Sequence, residues 1–194
     1  MNEKRNAPAA HLTLKSADEI RRFDVLAQAK SRHGLGGAKV QAIALLNSAG
    51  LPMLDFAVGE KIGVHLLLRA EQAIAEPAVG VQLHDRRSNL IFAAGTRQLG
   101  TGLPPLAAGD EIALCFVLTL DVTPGLFTLT VDCSEPSAEG PNLGVFHDVV
   151  GGLGPLTVHL SHSQMWPFYG VARLPLEVTF ANTRSDDPVS GAAS

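Results

Sequence analysis

Short β-rich runs separated by turn residues recur from Lys39 onward, with no helical period between them. The separators, such as "SAG", "DRRS", "VTPG" and "SEPSAEGPN", have the composition of tight turns. Strands joined by short turns pair most simply in antiparallel fashion, because parallel pairing needs crossover connections, usually helical. The pattern therefore predicts an all-β fold, an antiparallel β-sandwich or barrel, over about residues 36–183.

The segment "SADEIRRFDVLAQAK" differs from the rest, because its apolar residues recur at helical spacing. Ser16 is placed as an N-cap, and Asp18 and Glu19 follow in the first turn. We predict a tail or linker with a short amphipathic helix over 1–35, the sandwich over 36–183 and a disordered tail over 184–194. The helix is expected to be peripheral, so that deleting residues 1–32 leaves the melting of the sandwich intact.

Composition narrows the possible partners and the compartment. The 194 residues suit one well-buried domain, and a net charge of -4 argues against nucleic acid, which requires clustered Lys and Arg. The first residues lack the apolar stretch of a signal peptide, and no apolar run reaches the length of a membrane span. The chain is predicted to be cytoplasmic, and its two cysteines do not indicate a disulfide.

Signatures of catalysis or cofactor binding are missing from the sequence. The Gly-rich segment "GTRQLGTG" lacks the Gly-Lys-Ser/Thr ending of a phosphate loop, and no G-x-S-x-G elbow occurs. His147, His159 and His162 suggest metal ligands, but the last two are three residues apart and would face opposite sides of a strand. We therefore expect no enzyme activity, no metal and no nucleotide cofactor.

Polar residues with few charges occupy the outward positions of several predicted strands. A solvent-exposed face without a binding role usually carries more charged residues. Hydroxyl, amide and imidazole groups hydrogen-bond to sugars, and aromatic rings stack on them. Trp166 and Tyr169 fall in the loop "QMWPFYG", which either stacks on a ligand or plugs the core. Combined with the family resemblance given in the next paragraph, the alternation predicts these carbohydrate-binding residues: His65, Arg69, Gln82, His84, Thr157, His159, Trp166 and Tyr169. Replacing Trp166 or His159 with Ala is expected to weaken glycan binding with little loss of stability.

Six segments together resemble the C-terminal domain of Wzt, the ATP-binding subunit of O-antigen polysaccharide ABC exporters. They are "LDFAVGEKIGVHLLLRA", "EPAVGVQLHDRRSNLIFAAGT", "LAAGDEIALCFVLTL", "PGLFTLTVD", "FHD" and "YGVARLPLEVTF". The resemblance covers roughly residues 36–182. It implies a sandwich of immunoglobulin-like or jelly-roll character that binds the exported glycan without turnover, at its non-reducing end in exporters of capped chains.

The resemblance also implies partners and a location. These are an O-antigen polysaccharide, the ATPase and membrane subunits of the transporter, and a second copy in a homodimer at the inner face of the cytoplasmic membrane. Two features depart from the family: Arg87 and Ser88 stand where a Gly is common, and no Walker motif precedes the domain. The chain is thus expected to be an excised module or a stand-alone protein.

Two other functions fit parts of the pattern. A sandwich can dock a glycosyltransferase or transporter through a strand edge. A cupin-like enzyme would instead hold a metal with His147, His159 and a carboxylate.

Overall fold

The computed structural model describes residues 14–137, 140–161 and 168–173. The first elements of the described part are helix α1, Ala17–Arg22, and a 3₁₀ helix, Leu26–Gln28. The strands that follow are β1 Ser31–His33, β2 Ala38–Leu46, β3 Asp55–Ala57, β4 Lys61–Ala70, β5 Ala78–Asp85, β6 Leu90–Gly95, β7 Glu111–Thr119, β8 Gly125–Ser137 and β9 Gly140–His159. In this part of the chain, neither helix has the length and apolar character needed to cross a membrane.

The strands form two sheets that enclose the main core. One has six strands in the order β1-β9-β8-β5-β6, with β3 also paired to β9, and the other has the order β2-β4-β7. Among the strands that the structure describes, the pairs are antiparallel except β3 with β9, which run parallel. Apolar side chains from both sheets make one buried cluster, which includes Ile43, Val64, Leu66, Val81, Leu83, Phe116, Leu129 and Val150. The predicted antiparallel β-sandwich is confirmed.

Strand β4 is buried on both faces. A strand at the surface of a sandwich usually has one buried and one exposed face. Ile62, Val64, Leu66 and Leu68 alternate into the main core, as their spacing predicts. The opposite face of β4 carries Leu67, which is also buried, in a second apolar cluster. A structural element therefore has to cover the outer face of the three-stranded sheet.

Helix α1 is that cover. Its Ile20 is fully buried and packs with Ala42, Ala44, Leu46 and Leu67 on the outer face of the sheet. Arg21 adds an ion pair that joins the helix to β7, since its Nη2 donates to both Glu111 carboxylate oxygens at 2.8 Å. The sequence predicts a peripheral helix, whereas in the structure α1 covers an apolar face of the sheet.

The helix begins as predicted and ends earlier than its apolar spacing suggests. Ser16 and Glu19 form a reciprocal capping box at its start. The Asp24 carboxylate accepts hydrogen bonds from the nearby Leu26 N, at 2.9 Å, and from Ile43 N in β2, at 2.8 Å. Because these bonds hold Asp24 against the sheet, the α-helix ends at Arg22 and a 3₁₀ turn follows.

Strand β1 also lies before the predicted start of the sandwich, and it pairs with β9. Next to this pair, the Arg32 guanidinium donates to both oxygens of Asp148, at 2.9 and 2.6 Å. Asp148 is nearly fully buried and also accepts from Val40 N at 2.8 Å. The two groups link β1, β2 and β9, and so connect the two sheets.

The turn "DRRSN" between β5 and β6 explains one departure from the family pattern. Ser88 has a φ of 63°, in the left-handed region where glycine is the favoured residue. The Asp85 carboxylate supports the turn by accepting from Arg87 N and Asn89 N, at 2.8 and 2.9 Å. Serine here adopts the conformation that a glycine adopts more readily.

Candidate functional site

A groove of about 320 Å³ opens on the outer face of the six-stranded sheet. Small-ligand sites usually measure roughly 300–1,000 Å³, so this groove lies at the lower end of that range. It runs over β5 and β6 and ends against the β8–β9 pair. Its lining includes Ala78, Gly80, Gln82, Ala93, Gly95, Thr96, Arg97, Gln98, Asp132, Ser134, Glu135, Pro136, Gly144 and Phe146.

Small residues at outward positions create the concavity. Val79 and Val81 point into the core, so Gly80 between them faces outward. Gly80 pairs with Gly95 across the β5–β6 ladder, and Gln82 pairs with Ala93. A Cβ added to Gly80 would lie 2.9 Å from a carboxylate oxygen of Asp132, so a larger residue there would displace this carboxylate.

Asp132 supplies a carboxyl group on the floor of the groove. It lies between Val131 and Cys133, which point into the core, and its own residue is 8% exposed. Burial raises the pKa of Asp132, while a hydrogen bond from the Gln82 amide nitrogen, at 3.4 Å, opposes that shift. This carboxyl group is poorly solvated, and a hydroxyl group of a ligand would restore hydrogen bonds that water supplies elsewhere.

The walls of the groove add amide, carboxylate and guanidinium groups. Gln98 accepts from Gly95 N at 3.0 Å, which leaves its amide NH₂ to donate to a ligand. Glu135 accepts from Ala75 N and Glu76 N at 2.9 and 3.2 Å, so its carboxylate is anchored. The Arg97 guanidinium lies 3.5 Å from the Glu76 carboxylate. These groups offer both donors and acceptors.

Phe146 provides an aromatic surface at the end of the groove. Its residue is 49% exposed, so a ligand in the groove can contact it. It lies opposite Ser134 in the β8–β9 pair, and both line the groove. An exposed ring beside amide and carboxyl groups matches the two faces of a sugar, whose C–H groups stack and whose hydroxyls hydrogen-bond.

Among the predicted binding residues in the described ranges, Gln82 lines this groove. His84 lies two residues further along β5 on the same face and is half-buried. Thr157 and His159 are near the end of β9, where the His159 Nδ1 lies 2.8 Å from the Asp55 carboxylate. Strand alternation thus puts all four on the outer face of the six-stranded sheet, but at separate places along it.

The remaining predicted residues lie elsewhere. Arg69 is exposed on the three-stranded sheet, and Tyr169 is 96% exposed in a segment that pairs with Val122 through Ala172. Trp166 lies outside the described residues. His65 is fully buried, so the prediction that it faces solvent is wrong, because α1 and the sheet enclose it.

His65 lies beside Cys115, with its Nε2 3.6 Å from the Sγ. A reactive Cys–His pair needs a thiolate and an imidazolium. Burial here raises the pKa of Cys115 to about 11. Burial, with a smaller contribution from the Lys15 ammonium, lowers the pKa of His65 to about 4, although Glu19 opposes the shift. Both groups are neutral near pH 7, so this pair has the chemistry of a core contact.

We expect His65 to make the fold sensitive to acid. Its pKa is 6.5 in an unfolded chain and about 4 in the fold, so the unfolded state binds more protons between these values. Its contribution to stability is complete above pH 6.5 and is lost as the pH falls to 4, by about 2–3 kcal/mol. Urea unfolding at pH 7 and 4.5 measures this loss. His65→Leu should lose less over that interval, and the exposed variant His33→Ala should behave as wild type; equal losses in all three would contradict the assignment.

The histidines proposed as metal ligands are not brought together. His147 and His159 are on the same strand, β9, twelve residues apart, which is more than roughly 30 Å along an extended chain. His147 is buried beside Glu135, with 3.7 Å between its Nε2 and the carboxylate, and His162 lies outside the described residues. Within the described ranges, no three His, Cys, Asp or Glu side chains are grouped to hold a metal.

Sequence reasoning missed most of the groove. Asp132, Gln98 and Phe146 line it, and none was among the predicted residues. The alternation around Val131 already places Asp132 outward. The informative signal was the small residues at outward positions of β5 and β6, Gly80 and Ala93, because a sheet lacking side chains at these positions is concave.

A second, apolar groove of about 630 Å³ lies between β6 and β7, the edges of the two sheets as described. Phe92 and Leu99 line its mouth, and Leu114 and Phe116 lie deeper. Such a lining offers few partners for hydroxyl groups. The polar groove therefore offers more hydrogen-bond partners to a ligand that carries hydroxyl groups.

Comparisons with solved structures agree with this fold. The crystal structure of the C-terminal domain of Wzt is similar with a TM-score of 0.70 and 19% identity, covering 86% of this chain and 100% of that chain. Spo0M, a sporulation control protein from Bacillus subtilis, gives a TM-score of 0.39 at 17% identity, covering 66% of this chain and 51% of that one. A β-glucosidase from Listeria innocua gives 0.35 at 17% identity, covering 66% and 16%. The last two likenesses are too weak to support an argument.

The family comparison covers most of the chain. No curated protein matches at a significant level. Residues 29–174, however, match the family model of the Wzt C-terminal domain, and this range includes every strand from β1 to β9. The chain belongs to the Wzt C-terminal domain family.

Proposed function

We propose that this chain is a non-catalytic carbohydrate-binding module that recognises an O-antigen polysaccharide for export by an ABC transporter. Membership of the Wzt C-terminal domain family supports a role in such an exporter. The observation that carries the proposal is the polar groove, which combines the Asp132 carboxyl, the Gln82 and Gln98 amides and the exposed Phe146 ring. These groups can hold a sugar through hydrogen bonds and stacking.

The module recognises one end of the glycan and works together with other subunits of the exporter. The ligand is the non-reducing terminus of the polysaccharide, and the partners are the ATPase and membrane subunits of the transporter. The module acts as a homodimer at the inner face of the cytoplasmic membrane. His84, Thr157 and His159 stay predicted contacts for sugar units beyond the groove, because they lie on the same sheet face.

The rival function is docking of a glycosyltransferase or transporter through a strand edge. Strand β7 is an edge among the described strands, and the apolar groove lies beside it, which favours this reading. The two functions differ in their determinants. Variants in the polar groove should affect glycan binding alone, and variants along β7 should affect protein capture alone.

Substitutions in the groove should weaken glycan binding without unfolding the domain. Phe146→Ala and Gln82→Ala each remove one stacking or hydrogen-bond contact, which is worth about 1–3 kcal/mol or roughly 5- to 150-fold in affinity. Calorimetric titration with O-antigen polysaccharides measures the loss. Leu126→Ala and Gln41→Ala are matched controls, because both residues are exposed and lie outside the groove.

The melting temperatures of the variants show whether a loss of binding comes from the groove or from unfolding. All four variants should keep the wild-type melting temperature to within a few degrees. If the wild-type domain binds no O-antigen polysaccharide, the proposed function is wrong. If it binds and the groove variants bind equally well, the site lies elsewhere on the molecule.

A further inference from the structure

The charges around the polar groove limit which sugar it accepts. Asp132 lies on its floor and Glu135 on its wall. Arg97 is the cation among the described lining residues, and the Glu76 carboxylate beside it offsets its charge. The immediate surroundings thus contain three carboxyl groups and one guanidinium, which makes the groove acidic.

The position of Asp132 strengthens this effect. Its carboxyl group lies over Gly80 and is shielded from solvent by the surrounding sheet. Charges interact more strongly where water is excluded, so a carboxylate or phosphate bound here is repelled more than on an open surface. The Gln82 amide is a neutral donor and cannot offset a second negative charge.

Hydroxyl groups, in contrast, suit the polar side chains that line the groove. A carboxylate accepts from two hydroxyls, as a sugar diol presents them, and the Gln98 amide donates to a third oxygen. Phe146 covers the C–H face of the same ring. A sugar can make all of these contacts without carrying a negative charge.

We infer that the groove selects a sugar residue without an anionic group, bound through hydroxyls at Asp132 and stacked on Phe146, and rejects residues that bear a carboxylate or a phosphate. The inference rests on the proposed function, since it names the ligand class of the same site. It follows from the acidic lining and from the pairing of Arg97 with Glu76.

Matched ligands test this selectivity. We would titrate the whole chain with neutral hexose and deoxyhexose oligosaccharides, and with the same oligosaccharides carrying a terminal uronic acid or phosphate. The neutral members should bind, and the anionic members should bind roughly 100-fold more weakly, the order of effect that like charges produce at a desolvated site. Asp132→Asn should reduce that ratio at least tenfold, and Glu135→Gln should reduce it less.

The outcomes separate the two proposals. Equal or tighter binding of the anionic oligosaccharides overturns the charge selectivity and leaves a glycan-binding module intact. An unchanged ratio in an Asp132→Asn variant that melts like wild type also overturns it, since Asp132 would not be the discriminating group. If no member of either set binds, the carbohydrate function itself is refuted.

Discussion

A chain lacking residues 1–32 is expected to lose cooperative unfolding. The deletion removes α1, the first two residues of β1 and, with them, Arg32. It exposes a second apolar cluster, Ala42, Ala44, Leu46 and Leu67, which Ile20 now covers. This outcome is opposite to the one expected from sequence, where the helix was assigned to a tail.

The loss of stability can be estimated from two side chains that the deletion removes, Ile20 and Arg32. Loss of a large buried side chain such as Ile20 costs about 2–5 kcal/mol. Asp148 would remain in the interior with its Arg32 partner gone, at a further cost of several kcal/mol. The total is more than roughly 5 kcal/mol, comparable to the whole stability of a typical domain, about 5–15 kcal/mol.

Thermal and urea unfolding of the deletion variant measure the effect directly. A pair of point variants isolates the helix: Ile20→Ala should destabilise the full chain by about 2–4 kcal/mol, and Arg22→Ala, on the exposed side, by less than about 1. A deletion variant that melts cooperatively at the wild-type temperature would show that the sandwich does not need the helix, which would then be a peripheral tail.

The sandwich was predictable because its signals are local. Alternation placed Val64 and Leu66 in the core, and turn residues marked the ends of the strands. The parallel pairing of β3 with β9 was not predictable, because three residues of strand carry no information about a partner a hundred residues away. Register and partner choice depend on the whole fold.

Burial on the outer faces was harder to predict for the same reason. The position of His65 opposite Val64 and Leu66 was correct, but its exposure depended on a helix 45 residues earlier in the chain. Alternation distinguishes the two faces of a strand and does not tell which elements cover them. Likewise, Gln82 was predicted and its neighbour Asp132 was not, because the groove forms only when β5 and β8 pair.

Asp148→Ala should destabilise the fold by about 3–5 kcal/mol, because it removes the acceptor that the two sheets share. The substitution leaves Val40 N, a buried donor, without the oxygen that it contacts at 2.8 Å. It also removes both hydrogen bonds from the Arg32 guanidinium, which then retains its bond to Val40 O at 2.9 Å. The measurement is the free energy of unfolding in urea at pH 7.

Glu111→Ala is the matched control for Asp148→Ala, since Glu111 also accepts two hydrogen bonds from one arginine, Arg21. That pair is at the surface, where an ion pair contributes about 0–1 kcal/mol. Burial is the main difference between the two carboxylates, so the gap between the two variants measures what burial adds. Arg32→Ala should cost less in the Asp148→Ala background than in wild type, because its main acceptor is already gone. If Asp148→Ala and Glu111→Ala cost the same, the Asp148 link does not hold the two sheets together.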